Sequence, residues 1–401
     1  MYVLFALGAY ATYVQSLGGV LAPFLAKEFG LGDAGVTAVA GVASLGALGA
    51  ALLTRLADRH GRRLGLLLCF APLPLLALAS AASGSVASYA LAQLGVTALY
   101  SALLAGAAVA LAERSSDGWR AEGQSWFGLA GALGGGLAIG LAAFVERLPF
   151  GWRALWLAAA LPLLATGLVW RTLTETSRFE EARARGRIAA TRAGDLLRGA
   201  YRRRALGLLF VSLLRPIAFV ATTSWPFYHM VRTMALPPAL ASLVFVVGGG
   251  VGQLGNPIGA KLADLWGRRP TSILGGCVAT AAGVAFYWVP AGPGALAWWI
   301  ALTAGSQGGI ATLSVSDRLL GSELFPTALR TTFAGASGIA QAAAAIAAQF
   351  GISLLAASLG GLPAAITWIS LATFVPALLV FVWVVPETRG LPLAALEDEL
   401  G

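Results

Sequence analysis

The charged island Arg55-Leu56-Ala57-Asp58-Arg59-His60-Gly61-Arg62-Arg63 stands between two long apolar runs, and it returns as Lys261-Leu262-Ala263-Asp264-Leu265-Trp266-Gly267-Arg268-Arg269. Both copies read basic-Leu-Ala-Asp-x-x-Gly-Arg-Arg. Asp58 and Asp264 lie 206 residues apart in a chain of 401. A repeat of half the chain length restricts the fold to two like units in tandem. Two further landmarks keep the same order and nearly the same spacing. Glu113 to Arg120 recurs as Glu323 to Arg330, and Glu175-Thr176-Ser177-Arg178 recurs as Glu387-Thr388-Arg389.

Between the islands lie twelve apolar runs, near 2–26, 34–54, 64–83, 86–112, 125–145, 154–170, 205–231, 238–260, 271–290, 295–316, 333–357 and 364–385. Each is about the 20 residues that cross a bilayer as a helix. Composition decides that they do cross it. With 58% hydrophobic residues, 11% charged and a mean hydropathy of +0.78, the chain has more apolar surface than a water-facing globule can bury. All but five of the 27 Lys and Arg fall at 55–63, 113–124, 171–204, 261–269, 317–332 and 386–401. The alternate islands hold only Lys27, Arg147, Arg153 and Arg232, so the first set and both termini are expected on the cytoplasmic side of a plasma (inner) membrane. The net charge of +9 then reflects topology and not nucleic acid. The expected organisation is a six-helix bundle at 1–170, a cytoplasmic linker at 171–204 and a second six-helix bundle with a short tail at 205–401. Cys69 and Cys277 sit in apolar runs of opposite halves and suggest neither a disulfide nor a metal site.

At this point the chain resembles the major facilitator superfamily along essentially its whole length. The islands after spans two and eight look like that family's signature loop. Glu323-Leu324-Phe325-Pro326-Thr327-Ala328-Leu329-Arg330 and Pro386-Glu387-Thr388-Arg389-Gly390 look like motifs of its sugar-porter, metabolite-proton symporter and organic-ion transporter branches. The resemblance implies an all-α membrane fold with two pseudo-symmetric six-helix bundles that work by alternating access. It also implies that Asp58, Arg62, Glu113, Arg120, Glu175 and Arg178 hold an inner gate in the first half, with Asp264, Arg268, Glu323, Arg330 and Glu387 doing so in the second. An ionised Asp58 at a span end needs an Arg or an exposed helix N-terminus as partner.

The fifth exceptional cation, Arg215, falls inside span seven. Ten residues from a start near Ala205, it lies roughly 15 Å into the bilayer, about the midplane. A guanidinium there must face an anion or a polar cavity. The expected partner is an anionic substrate, the alternative a tie to a neighbouring span. Arg215, Thr222 and His229 recur at intervals of seven and share a face, with Trp225 close by. Tyr13, Gln15, Gln253, Asn256, Gln307 and Gln341 are the other polar candidates for a central cavity. Related sugar and aromatic-acid symporters carry acids in the first span, where this chain has Tyr10-Ala11-Thr12-Tyr13-Val14. The proton-carrying candidates are therefore His229, with an ordinary pKa near 6.5, and Asp317, which stands beside Arg318 and suits an inner-gate ion pair. Gly250-Val251-Gly252-Gln253-Leu254-Gly255 fits a dinucleotide fingerprint but lies inside span eight, where close helix packing explains it.

The function expected from these residues is transport of a small organic anion by a monomer in the lipid bilayer, with no cofactor, no metal and no nucleic acid. The alternatives are an exporter of drugs or cations, or a facilitator of sugars or other neutral solutes, with the same fold. An enzyme is not expected, because His60 lies in a loop and His229 stands alone in its span.

Overall fold

The computed structural model describes residues 1–115, 120–175, 202–324 and 327–387; the side chains at 51, 55–60, 120–121, 319, 321–323 and 327–331 also lie outside the description. The regular structure among the described residues is all helical, with no strand among them. In the first half the helices are α1 (Tyr2–Val20), α2 (Ala22–Phe29), α3 (Asp33–His60), α4 (Arg62–Phe70), α5 (Leu73–Ala81), α6 (Val86–Arg114), α7 (Arg120–Ala142), α8 (Arg153–Ala160) and α9 (Thr166–Thr172). In the second they are α10 (Arg202–Ser224), α11 (Pro238–Gly252), α12 (Gly255–Leu265), α13 (Arg268–Phe286), α14 (Ala295–Glu323), α15 (Thr327–Leu359) and α16 (Leu362–Val384).

Ten helical stretches among the described residues are long and apolar enough to cross a membrane. The remaining two expected runs correspond to α13 and α14. Their mean apolarity is lowered by Arg268 and Arg269 in one, and by Trp298, Trp299, Ser306 and Gln307 in the other. Large apolar side chains point outward: Leu164 is 88% and Trp383 79% exposed. Such exposure is the normal state of a surface solvated by lipid tails.

The chain divides into two compact units, Met1–Ala189 with Met230–Ser242, and Ala190–His229 with Leu243–Gly401. The apolar pattern places residues 230–242 in the second bundle, whereas their packing groups them with the first; Ser242 donates its hydroxyl to the Ile139 carbonyl at 2.7 Å. Within the first unit α1 packs on α7 and α3 on α6. Within the second α10 packs on α15 and α12 on α14. The repeat visible in the charged islands is thus also a repeat of helix pairs.

In a bilayer, helices are held by close van der Waals packing and not by water exclusion, so small residues mark the contacts. Gly46 of α3 lies against the Leu94 carbonyl of α6, leaving no room for a Cβ. At its counterpart, Gly252, a Cβ would stand 2.7 Å from that of Gln307 in α14. Near the basic end of the second unit, Ala205 and Val211 of α10, Leu320 and Leu324 at the end of α14, and Phe381 and Val385 at the end of α16 form one apolar cluster.

Helix α10 contains Pro216 and stops at Ser224, where Pro226 cannot donate to the ladder. A π-helical turn, His229–Thr233, follows. Breaks of this kind release backbone groups and commonly mark functional segments.

Candidate functional site

The charged islands end in the same construction in both units. Helix α4 begins after Gly61 and α13 after Gly267, whose φ values of 116° and 110° are in the region that favours glycine. The first amides of each helix point outward with no carbonyl to meet. The Glu175 carboxylate accepts from Arg62 N–H at 2.9 Å and Arg63 N–H at 3.2 Å. Glu387 accepts from Arg268 N–H at 3.0 Å and Arg269 N–H at 3.1 Å. A negative charge on two amides at a helix N-terminus is favourable by about 0.5–2 kcal/mol. A Cβ at Gly267 would also sit 2.5 Å from the Glu387 carboxyl and displace that side chain.

Arg62 and Glu113, expected at the gate, pair at 3.2 Å with both side chains 19% exposed. Arg268 donates to the Ala263 carbonyl at 3.2 Å and meets Asp264 at 3.8 Å. Asp264 is 76% exposed, so that pair contributes little. Asp58, Arg120, Glu323 and Arg330 lie on described helices, but their side chains are outside the described residues, as is Arg178 altogether.

Arg215 does not stand alone. Its guanidinium donates to the Asp317 carboxylate and, at 3.4 Å, to the Ser272 hydroxyl; that hydroxyl in turn donates to Asp317 Oδ1 at 2.7 Å. The guanidinium also lies 5.6 Å over the Phe381 ring. This corrects two expectations. Asp317 pairs across helices with Arg215, whereas sequence adjacency suggested Arg318. The charge of Arg215 is also off the midplane. Ser272 is four residues inside α13 and Asp317 six before the end of α14, roughly 6 and 9 Å from the basic ends of those helices. Side chains on a helix lean toward its N-terminus, and a long arginine carries its charge far along that lean. The backbone position therefore overstates the depth of the guanidinium.

The other expected residues separate into several settings. Thr222 and Gln307 meet around a cavity of about 10 Å³ in the second unit, room for a single water. Thr223, Thr303 and Ser306 join them there. The hydroxyls of Thr303 and Ser306 are buried with no hydrogen-bond partner, whereas Thr222 donates to the Ala218 carbonyl at 3.0 Å. Trp225, 2% exposed, donates its indole N–H to Gln349 Oε1 at 3.0 Å. His229, 3% exposed, packs against the Tyr287 ring with centroids 5.2 Å apart. Gln341 donates to Ser337, and Ser337 to Ser212, joining α15 to α10. Asn256 donates to Gln253 at the break between α11 and α12, where Gln253 is exposed.

In the first unit, Tyr13 donates to the Leu155 carbonyl at 3.3 Å and Tyr10 to the Ala159 carbonyl at 2.9 Å. Helix α8 gives way there to a 3₁₀ turn containing Pro162, which has no N–H to offer Ala159. The Tyr10 hydroxyl supplies the donor that Pro162 cannot, and the Tyr13 hydroxyl adds a bond to a carbonyl within α8. Gln15 accepts from Thr97 at 3.5 Å. Sequence reasoning missed Ser272, Gln349, Thr303 and Ser306. Isolated Ser, Thr and Gln in Ala- and Gly-rich helices look the same whether they line a site or serve packing.

The Major Facilitator Superfamily model matches residues 2–349. The chain belongs to that superfamily. It is thus a multi-pass membrane transporter of the major facilitator fold. Among solved structures, this superfamily member resembles a D-xylose-proton symporter at TM-score 0.73 and 19% identity, over 97% of this chain and 98% of that one. It resembles the inward-open xylose transporter XylE from E. coli at 0.74 and 18%, over 99% and 98%. A bacterial homologue of the human lysosomal transporter Spinster, inward-facing, aligns at 0.65 and 13%, over 96% and 94%. At these identities the likeness is one of fold. No curated protein matches the sequence.

Proposed function

We propose that this superfamily member is a proton-coupled transporter of a small polar organic solute, with Asp317 as the proton-binding group and Arg215 as its partner. The carrying observation is the Arg215–Asp317–Ser272 cluster within the helices of the second unit. A guanidinium and a carboxylate with side chains 16% and 25% exposed are stable as a pair and costly apart. Protonation of Asp317 removes the attraction and frees Arg215. An equilibrium between paired and unpaired states is what a proton needs in order to bias one conformation of an alternating-access carrier.

A neutral solute such as a sugar fits best. Arg215 is already compensated by Asp317, and Gln307, Thr223 and Ser306 around the small cavity are neutral hydrogen-bonding groups. The xylose-proton symporter among the structural neighbours supports the same reading. An organic anion is the second reading. It follows from the same pair, because a protonated Asp317 leaves Arg215 available to a carboxylate.

Proteoliposome uptake of sugars and metabolite anions, with and without a pH gradient, tests both. Asp317→Asn is expected to abolish gradient-driven accumulation while exchange of solute across the membrane persists. Gradient-driven accumulation unchanged in Asp317→Asn would overturn the proposal. For an anionic solute, Arg215→Ala removes transport altogether.

A further inference from the structure

The break that ends α10 is met directly from two neighbouring helices and across a gap from a third. Pro226 has no N–H for the Thr222 carbonyl, the ladder acceptor one turn before it, and the hydroxyl of Tyr287, just past the end of α13, donates to that carbonyl at 3.2 Å instead. Helix α15 supplies Gln349, whose Oε1 accepts from the Trp225 indole at 3.0 Å. Toward α14 stands the small cavity of about 10 Å³. Thr222, Thr223 and Pro226 line it from α10 and the break, and Thr303, Ser306 and Gln307 line it from α14.

The two helices bring opposite halves of a hydrogen bond to this cavity. Thr222 donates its hydroxyl proton to the Ala218 carbonyl at 3.0 Å and Thr223 to the Phe219 carbonyl at 2.7 Å, so their side chains have only oxygen lone pairs left to offer. Thr303 and Ser306, 4% and 6% exposed, have hydroxyls with no partner among the described residues, and these need an acceptor. Two orphaned hydroxyls inside an apolar bundle are costly.

We infer that this cavity binds one ordered water, which accepts from Thr303 and Ser306 and donates to Thr222 and Thr223. A water presents two acceptor and two donor positions, and a cavity of this size has room for one. The lining argues against a dry cavity, since cavities that stay dry are apolar. A sodium ion of similar size matches less well. It would engage the four oxygens but leave the Thr303 and Ser306 protons without an acceptor, and no described residue lining the cavity is acidic. The water thus carries the polar contact between α14 and the end of α10, where Tyr287 and Gln349 make theirs directly. This site is distinct from the Arg215–Asp317–Ser272 cluster and does not depend on proton coupling there.

Removing each hydroxyl with little change of shape gives opposite signs for a hydrated and a dry cavity. The measurement is thermal unfolding of the purified full chain. With the water bound, Thr303→Val and Ser306→Ala each lose a hydrogen bond and should lower Tm by about 2–4 °C. In a dry cavity each would remove an unsatisfied polar group and leave Tm unchanged or raised. That outcome in either variant overturns the inference. Thr303→Val/Ser306→Ala should cost less than the sum of the single changes, because both hydroxyls share one molecule; fully additive losses overturn it as well. A density map of the full chain in lipid nanodiscs, at a resolution that shows waters, should hold one peak within about 2.7–3.2 Å of Thr303 Oγ1 and Ser306 Oγ, and the lack of one would count against the site decisively. Unfolding is also compared in sodium chloride and choline chloride at equal ionic strength. Equal Tm is expected; a sodium-specific rise that Ser306→Ala abolishes would identify a cation as the occupant and overturn the inference.

Discussion

The two units share a charged frame and differ in what fills it. Glu175 and Glu387 cap α4 and α13 with the same pair of amide contacts. Inside the first unit, Tyr10 and Tyr13 donate to carbonyls of a proline-interrupted helix and Gln15 takes a weak bond from Thr97. The corresponding interior of the second unit holds an ion pair, a buried histidine and unpartnered hydroxyls. Among the described residues, the ion pairs of the first unit, Arg62 with Glu113 and Arg153 with Glu28, lie near helix ends, whereas the second unit also carries one farther inside its helices. The shared caps belong to the architecture, and the Arg215–Asp317 pair is where the two units differ.

The largest test of that contrast is the ion pair. Asp317→Ala strands the Arg215 guanidinium and should cost about 3–5 kcal/mol of stability. Arg215→Ala/Asp317→Ala should recover most of the loss, and thermal unfolding of the three variants in detergent completes the cycle. A double variant no more stable than Asp317→Ala would show that the pair is not self-contained. Next comes Gly267→Ala, with about 1–3 kcal/mol expected from the left-handed backbone alone. The displaced Glu387 cap adds to it.

The caps themselves sharpen the likeness. Glu175→Gln and Glu387→Gln should each cost about 0.5–2 kcal/mol, equally in the two units. A loss confined to one of them would break the symmetry claim. Tyr13→Phe should cost about 0.5–1.5 kcal/mol and leave proton coupling intact, since that hydroxyl only ties α1 to a carbonyl of α8. Its effect on a pH-dependent uptake profile should be nil, whereas that of Asp317→Asn should be large.

The smallest effect concerns the staple at the other end of the first unit. Glu28 accepts from Arg153, which stacks on Trp152 with its guanidinium 4.3 Å from the ring centroid, and from the Trp152 indole N–H at 2.6 Å. The hydrogen bond from Arg153 holds the Glu28 carboxyl below its ordinary 4.5. A depressed folded pKa stabilises the protein above the unfolded value, and that contribution fades as pH falls through the folded one. Stability should therefore be flat above about pH 5 and decline below about pH 4. Glu28→Gln should flatten the decline slightly, as the side chain is 39% exposed.

Much of this architecture was legible because it rests on periodic or composition-wide signals. Apolar runs of bilayer length, cations segregated to alternate islands and three landmarks repeated in order specify a duplicated helical membrane protein without any coordinates. The roles of Glu175 and Glu387 were half legible: the family resemblance implies that both serve the inner gate, but the amides they meet depend on how the chain turns at Gly61 and Gly267. Contacts between helices were not legible. Arg215 and Asp317 are 102 residues apart, and their pairing depends on how α10, α13 and α14 pack and on the lean of an arginine toward its helix N-terminus. Side-chain reach across helices of equal apolarity leaves no mark on the linear pattern. The sequence by itself determined a helical membrane protein whose charged islands repeat in two halves; only the tertiary structure decided which charges meet, because a buried ion must find its partner in space and not along the chain.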